Sequence, residues 1–310
     1  MRFFKETHID FMGKRKVWYT VSIIALLIGL SGLLFKGFTF GIDFLGGTEL
    51  IVQFDRPVDV GRIRSALDRS GMSGLEIKSF GSPQDMLIRT PMQVEGTKVA
   101  DAIKAALTEN IPDTPFKVLR EDKIGPKIGS ELRRDAVYAI GATLIIIMIY
   151  VGFRFKFIYG VMGVVALFHD VLLTLGFVAM FNGIGPYLNL EFSMSMMAAF
   201  LTLIGFSIND TVIVFDRIRE NLKVHKTESL AEVINKSINQ TLSRTIITTG
   251  TVVMVLVILF FFGGEVNRGF AFTFLIGSVS GTYSSIYVAS ALVLDTTIRR
   301  KPKLNARHGR

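Results

Sequence analysis

Cysteine is missing altogether from these 310 residues. That excludes a disulfide framework, a thiolate metal site and an iron–sulfur cluster, and it leaves the redox state of the compartment open. Histidine occurs only four times, at scattered positions, so neither a metal nor any other cofactor is expected. The first apolar stretch, Val17 to Phe35, lacks the short core and small-residue cleavage site of a signal peptide, and Lys14, Arg15 and Lys16 precede it. It reads as a retained anchor. Basic residues are absent between Asn182 and Glu191, and only one occurs between Gly263 and Arg268.

What the chain has instead is apolar length. Hydrophobic residues make up 50% of it and the mean hydropathy is +0.45, more than the core of a soluble domain this size requires. The excess must face lipid. A spanning helix takes about 20 mostly apolar residues, and five uncharged runs reach that length: Val17 to Phe35, Ala136 to Phe153, Phe192 to Asn209, Thr245 to Gly264 and Gly269 to Leu294. A sixth, Phe157 to Phe181, qualifies apart from His169 and Asp170 near its middle. The pattern predicts a polytopic α-helical membrane protein with six transmembrane helices, the fourth continuing to residue 215.

Positive residues in short connections stay on the cytoplasmic side. They mark the arm over residues 1–16, the Arg154 to Lys156 turn, the segment from Arg217 to Arg244, and the tail over residues 296–310 with Arg299, Arg300, Lys301, Lys303, Arg307 and Arg310. Both termini are therefore expected in the cytoplasm and residues 36–134 outside, with the other five helices within residues 135–295. This topology, with attraction to anionic lipid headgroups, accounts for the net charge of +9 without nucleic acid.

Between Thr48 and Glu121 the apolar runs give way to short alternating segments. Glu49 to Phe54, Leu75 to Phe80, Asp85 to Thr90 and Phe116 to Leu119 read as strands; Val58 to Ser70, begun near Asp59, and Val94 to Asn110 read as helices. The order βαββαβ is that of a small extracytoplasmic α+β domain of the ferredoxin-like, or split βαβ, kind. Such a fold names no activity; contact with something polymeric or proteinaceous outside the membrane suits it.

Ionisable residues inside spanning helices are costly and normally functional. Asp210 lies six residues before Asp216, about 9 Å inside the cytoplasmic end at 1.5 Å per residue. Arg244 opens the next span from the same side. An Asp210–Arg244 pair at similar depth would make aspartate protonation sensitive to the arginine, the chemistry of a proton relay; a snorkelling Arg244 is the other reading. Gly205, Ser207 and Asn209 before Asp210 either admit water or form a close helix contact. His169 and Asp170 form a second titrating pair or a satisfied polar patch. Asp216, Arg217, Arg219 and Glu220 read as an interfacial anchor, Gly277 and Gly281 as a close helix contact, and Gly263 with Gly264 as a tight external turn.

Five stretches, in order on their spans, resemble the SecF family, the smaller of two paired membrane subunits that accompany the bacterial Sec channel. They are Gly41-Ile42-Asp43-Phe44-Leu45-Gly46-Gly47; Ala166-Leu167-Phe168-His169-Asp170-Val171; Gly205 to Asp210 running on to Phe215 to Asn221; Gln240 to Thr245; and Ser284 to Ala291. Leu45 stands where the family usually has threonine. The resemblance covers nearly the whole chain. It implies an RND-like membrane fold at the bacterial inner membrane and a complex with SecD and the SecYEG channel, with YajC and YidC as further candidates. It also implies action on a translocating preprotein powered by H⁺ or Na⁺. Its intramembrane aspartate and arginine fall on Asp210 and Arg244, with Asp170, His169 and Asn209 in support, while Gly41, Asp43, Gly46 and Gly47 form a structural motif. The expected cycle weakens the Asp210–Arg244 pair on protonation and shifts the external domain. Three other readings compete: half of an efflux or lipid transporter, which calls for a larger external domain; a structural subunit without ion coupling; and an aspartyl protease on Asp170 and Asp210, whose flanking glycine and tyrosine motifs are absent.

Overall fold

The computed structural model describes residues 7–91, 98–155, 157–184, 188 and 190–305. The expected helix start at Val94, Lys156 of the basic turn, and Arg307 and Arg310 of the tail lie outside them.

Long helices dominate: α1 (Arg15–Lys36), α5 (Pro126–Arg154), α6 (Phe157–Phe181), α7 (Met194–Val224) and α8 (Leu230–Phe262). These five are long and apolar enough to cross a membrane. Next comes α9 (Gly264–Ser284), which leads without a break through a π-helical segment (Ser285–Ala289) into α10 (Ser290–Asn305). Polar residues dilute the apolar character of α9; Thr273, Ser278, Ser280 and Ser284 are all buried. Gly263 and Gly264, the latter at φ +74°, turn the chain between α8 and α9.

Several helices outrun their apolar stretches. A helix satisfies its own backbone in lipid and in water alike, so it stops at a cap and not at an interface. Thus α5 begins at Pro126, inside the segment expected to be the external domain, and α8 begins at a capping box formed by Ser229 and Glu232. The stretch from Arg217 to Arg244 is accordingly helical except around the turn between Val224 and Leu230.

Glycine sets the helix spacing. A Cβ on Gly176 would fall 2.5 Å from the Gly29 backbone, and one on Gly277 or Gly281 would strike Leu203 or Ser207 of α7. α1 therefore lies directly on α6, and α9 on α7.

One end of the bundle carries a sheet. After the short α2 (Ile42–Leu45) come β1 (Gly47–Phe54), α3 (Val60–Arg69), β2 (Glu76–Phe80), β3 (Ser82–Thr90), α4 (Lys98–Asn110) and β4 (Phe116–Ile124). The strands are antiparallel in the order β2-β3-β1-β4. β4 runs past Leu119 because β1 offers it partners as far as Gly47. Leu50, Val52 and Phe54 alternate onto one face and bury Ile63 and Leu67 of α3 with Ile103 and Leu107 of α4. Each such buried side chain contributes about 1.5–3 kcal/mol. Asp59 caps α3 by accepting from the Gly61 amide at 2.7 Å.

At the opposite end, residues 7–13 strap across the start of α8. The Phe11 and Met12 amides donate to the Asn235 side chain at 3.0 and 2.9 Å, and Arg15 pairs with Asp295 of α10 at 2.9 Å.

Candidate functional site

Two carboxylates sit inside the bundle, each 1% exposed, and their surroundings differ. Asp170 of α6 is fully engaged. It accepts hydrogen bonds from Ser207 of α7 at 2.7 Å and from Ser280 and Ser284 of α9 at 2.8 and 2.6 Å, and its neighbour His169 approaches through Nδ1 at 3.1 Å. Gly281 makes this possible, since a side chain there would hold α9 away from Ser207. The imidazole Nε2 has no hydrogen-bond partner. The ring lies 6.4 Å from Tyr283, whose hydroxyl donates to the Trp18 carbonyl of α1 at 2.7 Å.

Asp210 of α7 is served far less well. Its Oδ2 accepts from Thr249 of α8 at 3.4 Å and Thr282 of α9 at 3.3 Å, while Oδ1 has no partner. The two threonine hydroxyls also lie 2.7 Å from each other, so one donating to its neighbour leaves a single proton for the carboxylate. A charge-bearing group in apolar surroundings with so little protein compensation has most to gain from a proton or a cation.

No ion pair joins Asp210 to Arg244 among the described residues. Thr249, which touches Asp210, lies five residues beyond Arg244 on α8, about 7.5 Å farther along the axis. Arg244 is exposed and opens instead into a cleft of about 790 Å³ at the terminal end, lined also by His8, Asp10, Ile213, Arg217 and Gln240. Arg244 thus stands apart from Asp210, with its side chain at the cleft. Asn209 is exposed and bonds to neither carboxylate. Asp216 and Arg217 tie the end of α7 to its surroundings, Asp216 to Arg154 at 3.5 Å and Arg217 to Gln240 of α8 at 2.6 Å. Asp170 and Asp210 share no hydrogen bond, unlike the paired aspartates of a protease.

The Gly41 to Gly47 motif is a joint. The Gly41 amide donates to the Phe192 carbonyl at 3.0 Å, and Asp43 accepts from the Met194 amide at 2.8 Å, capping α7 together with Ser193. Gly46 takes φ +76° and lies so close to α5 that a Cβ on Gly129 would meet its nitrogen at 3.0 Å. The motif thus fixes the sheet to the starts of both α5 and α7.

A charge cluster that sequence reading missed reinforces this joint. On the sheet face away from α3 and α4, Arg89 bonds Glu49 at 2.6 Å, Glu76 at 3.2 Å and Glu191 at 2.5 Å, and Lys78 bonds Glu191 and Glu76. Glu191 precedes α7, so the cluster ties the sheet to the same helix. Also missed were Ser280 at Asp170 and Thr249 and Thr282 at Asp210. Their signal was the i, i+4 spacing of Ser280 with Ser284 and of Thr245 with Thr249 inside apolar runs.

Comparison with known proteins now supplies the context. Residues 103–299 match the family model for the C-terminal region of the protein export membrane proteins SecD and SecF, and residues 31–58 match the SecD/SecF GG motif. The protein translocase subunit SecF of Rhodothermus marinus is 43% identical over 299 residues, covering 96% of each chain, and that of Calditerrivibrio nitroreducens is 40% identical over 301 residues, covering 96% of this chain and 97% of the other. The crystal structure of SecDF from Thermus thermophilus, a translocon-associated membrane protein, superposes with a TM-score of 0.82 at 36% identity; the match covers 94% of this chain and 39% of that longer one. A matched family model over most of its length and relatives of its own size place this chain in the SecD/SecF family of protein export membrane proteins, among the SecF translocase subunits.

Proposed function

We propose that this chain works with SecD in the Sec translocase and uses an H⁺ or Na⁺ gradient to promote late, ATP-independent stages of preprotein export. In this reading it crosses the bacterial cytoplasmic membrane six times, α9 and its continuation forming the sixth crossing, with both termini in the cytoplasm. The sheet end is then the extracytoplasmic domain, and its element and strand order support a ferredoxin-like unit. SecD is the partner that completes the assembly, beside the SecYEG channel. Asn209 and Gly205, exposed on α7, favour a covering partner helix, because an amide facing hydrocarbon is costly.

One observation carries the coupling: Asp210 is buried with one oxygen bare while the other makes its hydrogen bonds to α8 and α9. Loading Asp210 with a proton or sodium ion weakens those charge-assisted bonds and frees α8 and α9 against α7. Arg244 acts from the cleft, as a charge that follows the state of Asp210. His169 and Asp170 hold the opposite side of α9 and act in support. Movement of α7 reaches the sheet through Asp43 and Glu191. One charge crossing the membrane supplies about 2.3 kcal/mol per 100 mV, enough to bias two positions of the domain, so export proceeds by repeated cycles.

The test is Asp210→Asn. The variant is expected to co-purify with SecD in wild-type yield yet lose the stimulation of preprotein export by an imposed ion gradient. Full stimulation in the variant would contradict the assignment.

A further inference from the structure

Buried threonines in helices usually satisfy their hydroxyls on the carbonyl one turn back. Thr241 does so on Ser237 at 3.0 Å and Thr211 on Ser207 at 3.3 Å. Thr245 does not: it is 2% exposed and its hydroxyl has no partner. Its position is specific. Residues 241, 245 and 249 follow one another at i, i+4 along a single face of α8. Thr241 lines the terminal-end cleft, and Thr249 bonds Asp210. Across from them on α7, Ile213 and Arg217 line the same cleft and stand one and two turns from Asp210. Along this face of α8 the cleft and the buried carboxylate are therefore separated by the two turns from Thr241 to Thr249, and Thr245 midway between them carries an unsatisfied hydroxyl. Asp210 Oδ1 is unsatisfied as well. Thr249, one turn beyond Thr245 on the same face of α8, is the residue that reaches Asp210, so a water molecule satisfying the Thr245 hydroxyl would stand one turn from the carboxylate.

We propose that the cleft is an aqueous vestibule and that Thr245 is the positioning residue that passes water and protons between it and Asp210, giving the ion site its access from the terminal end. This rests on Asp210 being the coupling carboxylate, but access can be measured apart from coupling. Because the chain has no native cysteine, single-cysteine variants report directly. In proteoliposomes containing the full chain and SecD, Thr245→Cys, Gln240→Cys at the cleft and Leu256→Cys deeper in α8 are treated with a small, membrane-impermeant anionic methanethiosulfonate, and modification of this chain is followed by mass.

The expected result is that Thr245→Cys reacts about tenfold or more faster than Leu256→Cys, and only from the face bearing the N-terminal arm. Reaction no faster than that of Leu256→Cys, while Gln240→Cys reacts, overturns the vestibule. A second pair isolates the hydroxyl: Thr245→Val is expected to lower gradient-driven ion flux by about tenfold or more, whereas Thr245→Ser retains it. Equal flux in Val and Ser variants overturns the role given to the hydroxyl. Undiminished flux in Asp210→Asn alongside rapid labelling of Thr245→Cys would remove Asp210 from the coupling reading and leave the access route standing.

Discussion

Gly47 adopts a φ of +134°, and a Cβ on it would lie 2.5 Å from the carbonyl oxygen of Thr90. Its strand partner therefore leaves no room for a side chain at the point where the joint enters the sheet. Gly47→Ala is expected to destabilise the protein by about 1–3 kcal/mol, seen as a lower melting temperature of the purified protein; an unchanged value would mean that β1 and β3 part easily there. Asp43→Ala removes an acceptor from the first turn of α7 and is expected to cost about 1 kcal/mol, with Asp43→Asn retaining most of the stability because its amide oxygen still accepts. Both residues stand out in the sequence as part of a glycine-rich motif. Their partners do not, because the amide that Asp43 caps lies 151 positions away, and local spacing carries no information about it.

At the scale of elements, the proposed coupling depends on the contact between the sheet and α7. Removing Arg89, which is 9% exposed, would leave Glu49 without its ion-pair partner and Lys78 as the one cation facing Glu76 and Glu191. Arg89→Leu is expected to cost about 3–5 kcal/mol and to loosen the sheet, measured as faster hydrogen exchange in β1 and β3 with the transmembrane helices unchanged. Burial pushes the Glu76 carboxyl up, but the charges of Lys78 and Arg89 outweigh it and hold the group below its ordinary range. A depressed folded-state value contributes stability above the unfolded glutamate value of about 4.3 and loses it as pH falls further. Melting temperature should accordingly drop on acidification below that point, and Glu76→Gln should flatten the drop. Alternation along β1, β2 and β3 made the strands legible and placed Glu49, Lys78 and Arg89 on one face. That face looks solvent-exposed from sequence, since Glu191, which covers it, follows Arg89 by 102 residues.

At the scale of the whole molecule, apolar length was the most informative property of the sequence. It located the helices, and the charged residues interrupting it located Asp170 and Asp210. It did not show that the two carboxylates would be treated differently. Ser207 reads as a residue that either admits water or permits close packing, and here it packs closely while it and its serine and threonine neighbours supply the side-chain hydroxyls that reach Asp170 and Asp210. Nor did depth along two antiparallel helices establish that Asp210 and Arg244 would touch; one turn of α8 too many lies between them. The contrast between a satisfied Asp170 and an undersatisfied Asp210 is what favours Asp210 as the ion-responsive member in the proposed coupling. The most direct measurement is ion flux into proteoliposomes that hold this chain with SecD and an unfolded secretory polypeptide, comparing wild type with Asp210→Asn and Asp170→Asn. Flux abolished by Asp210→Asn and only reduced by Asp170→Asn is the predicted result, and the ion whose gradient collapses is the coupling ion; flux through Asp210→Asn equal to wild type would contradict the account and leave this chain as a structural subunit.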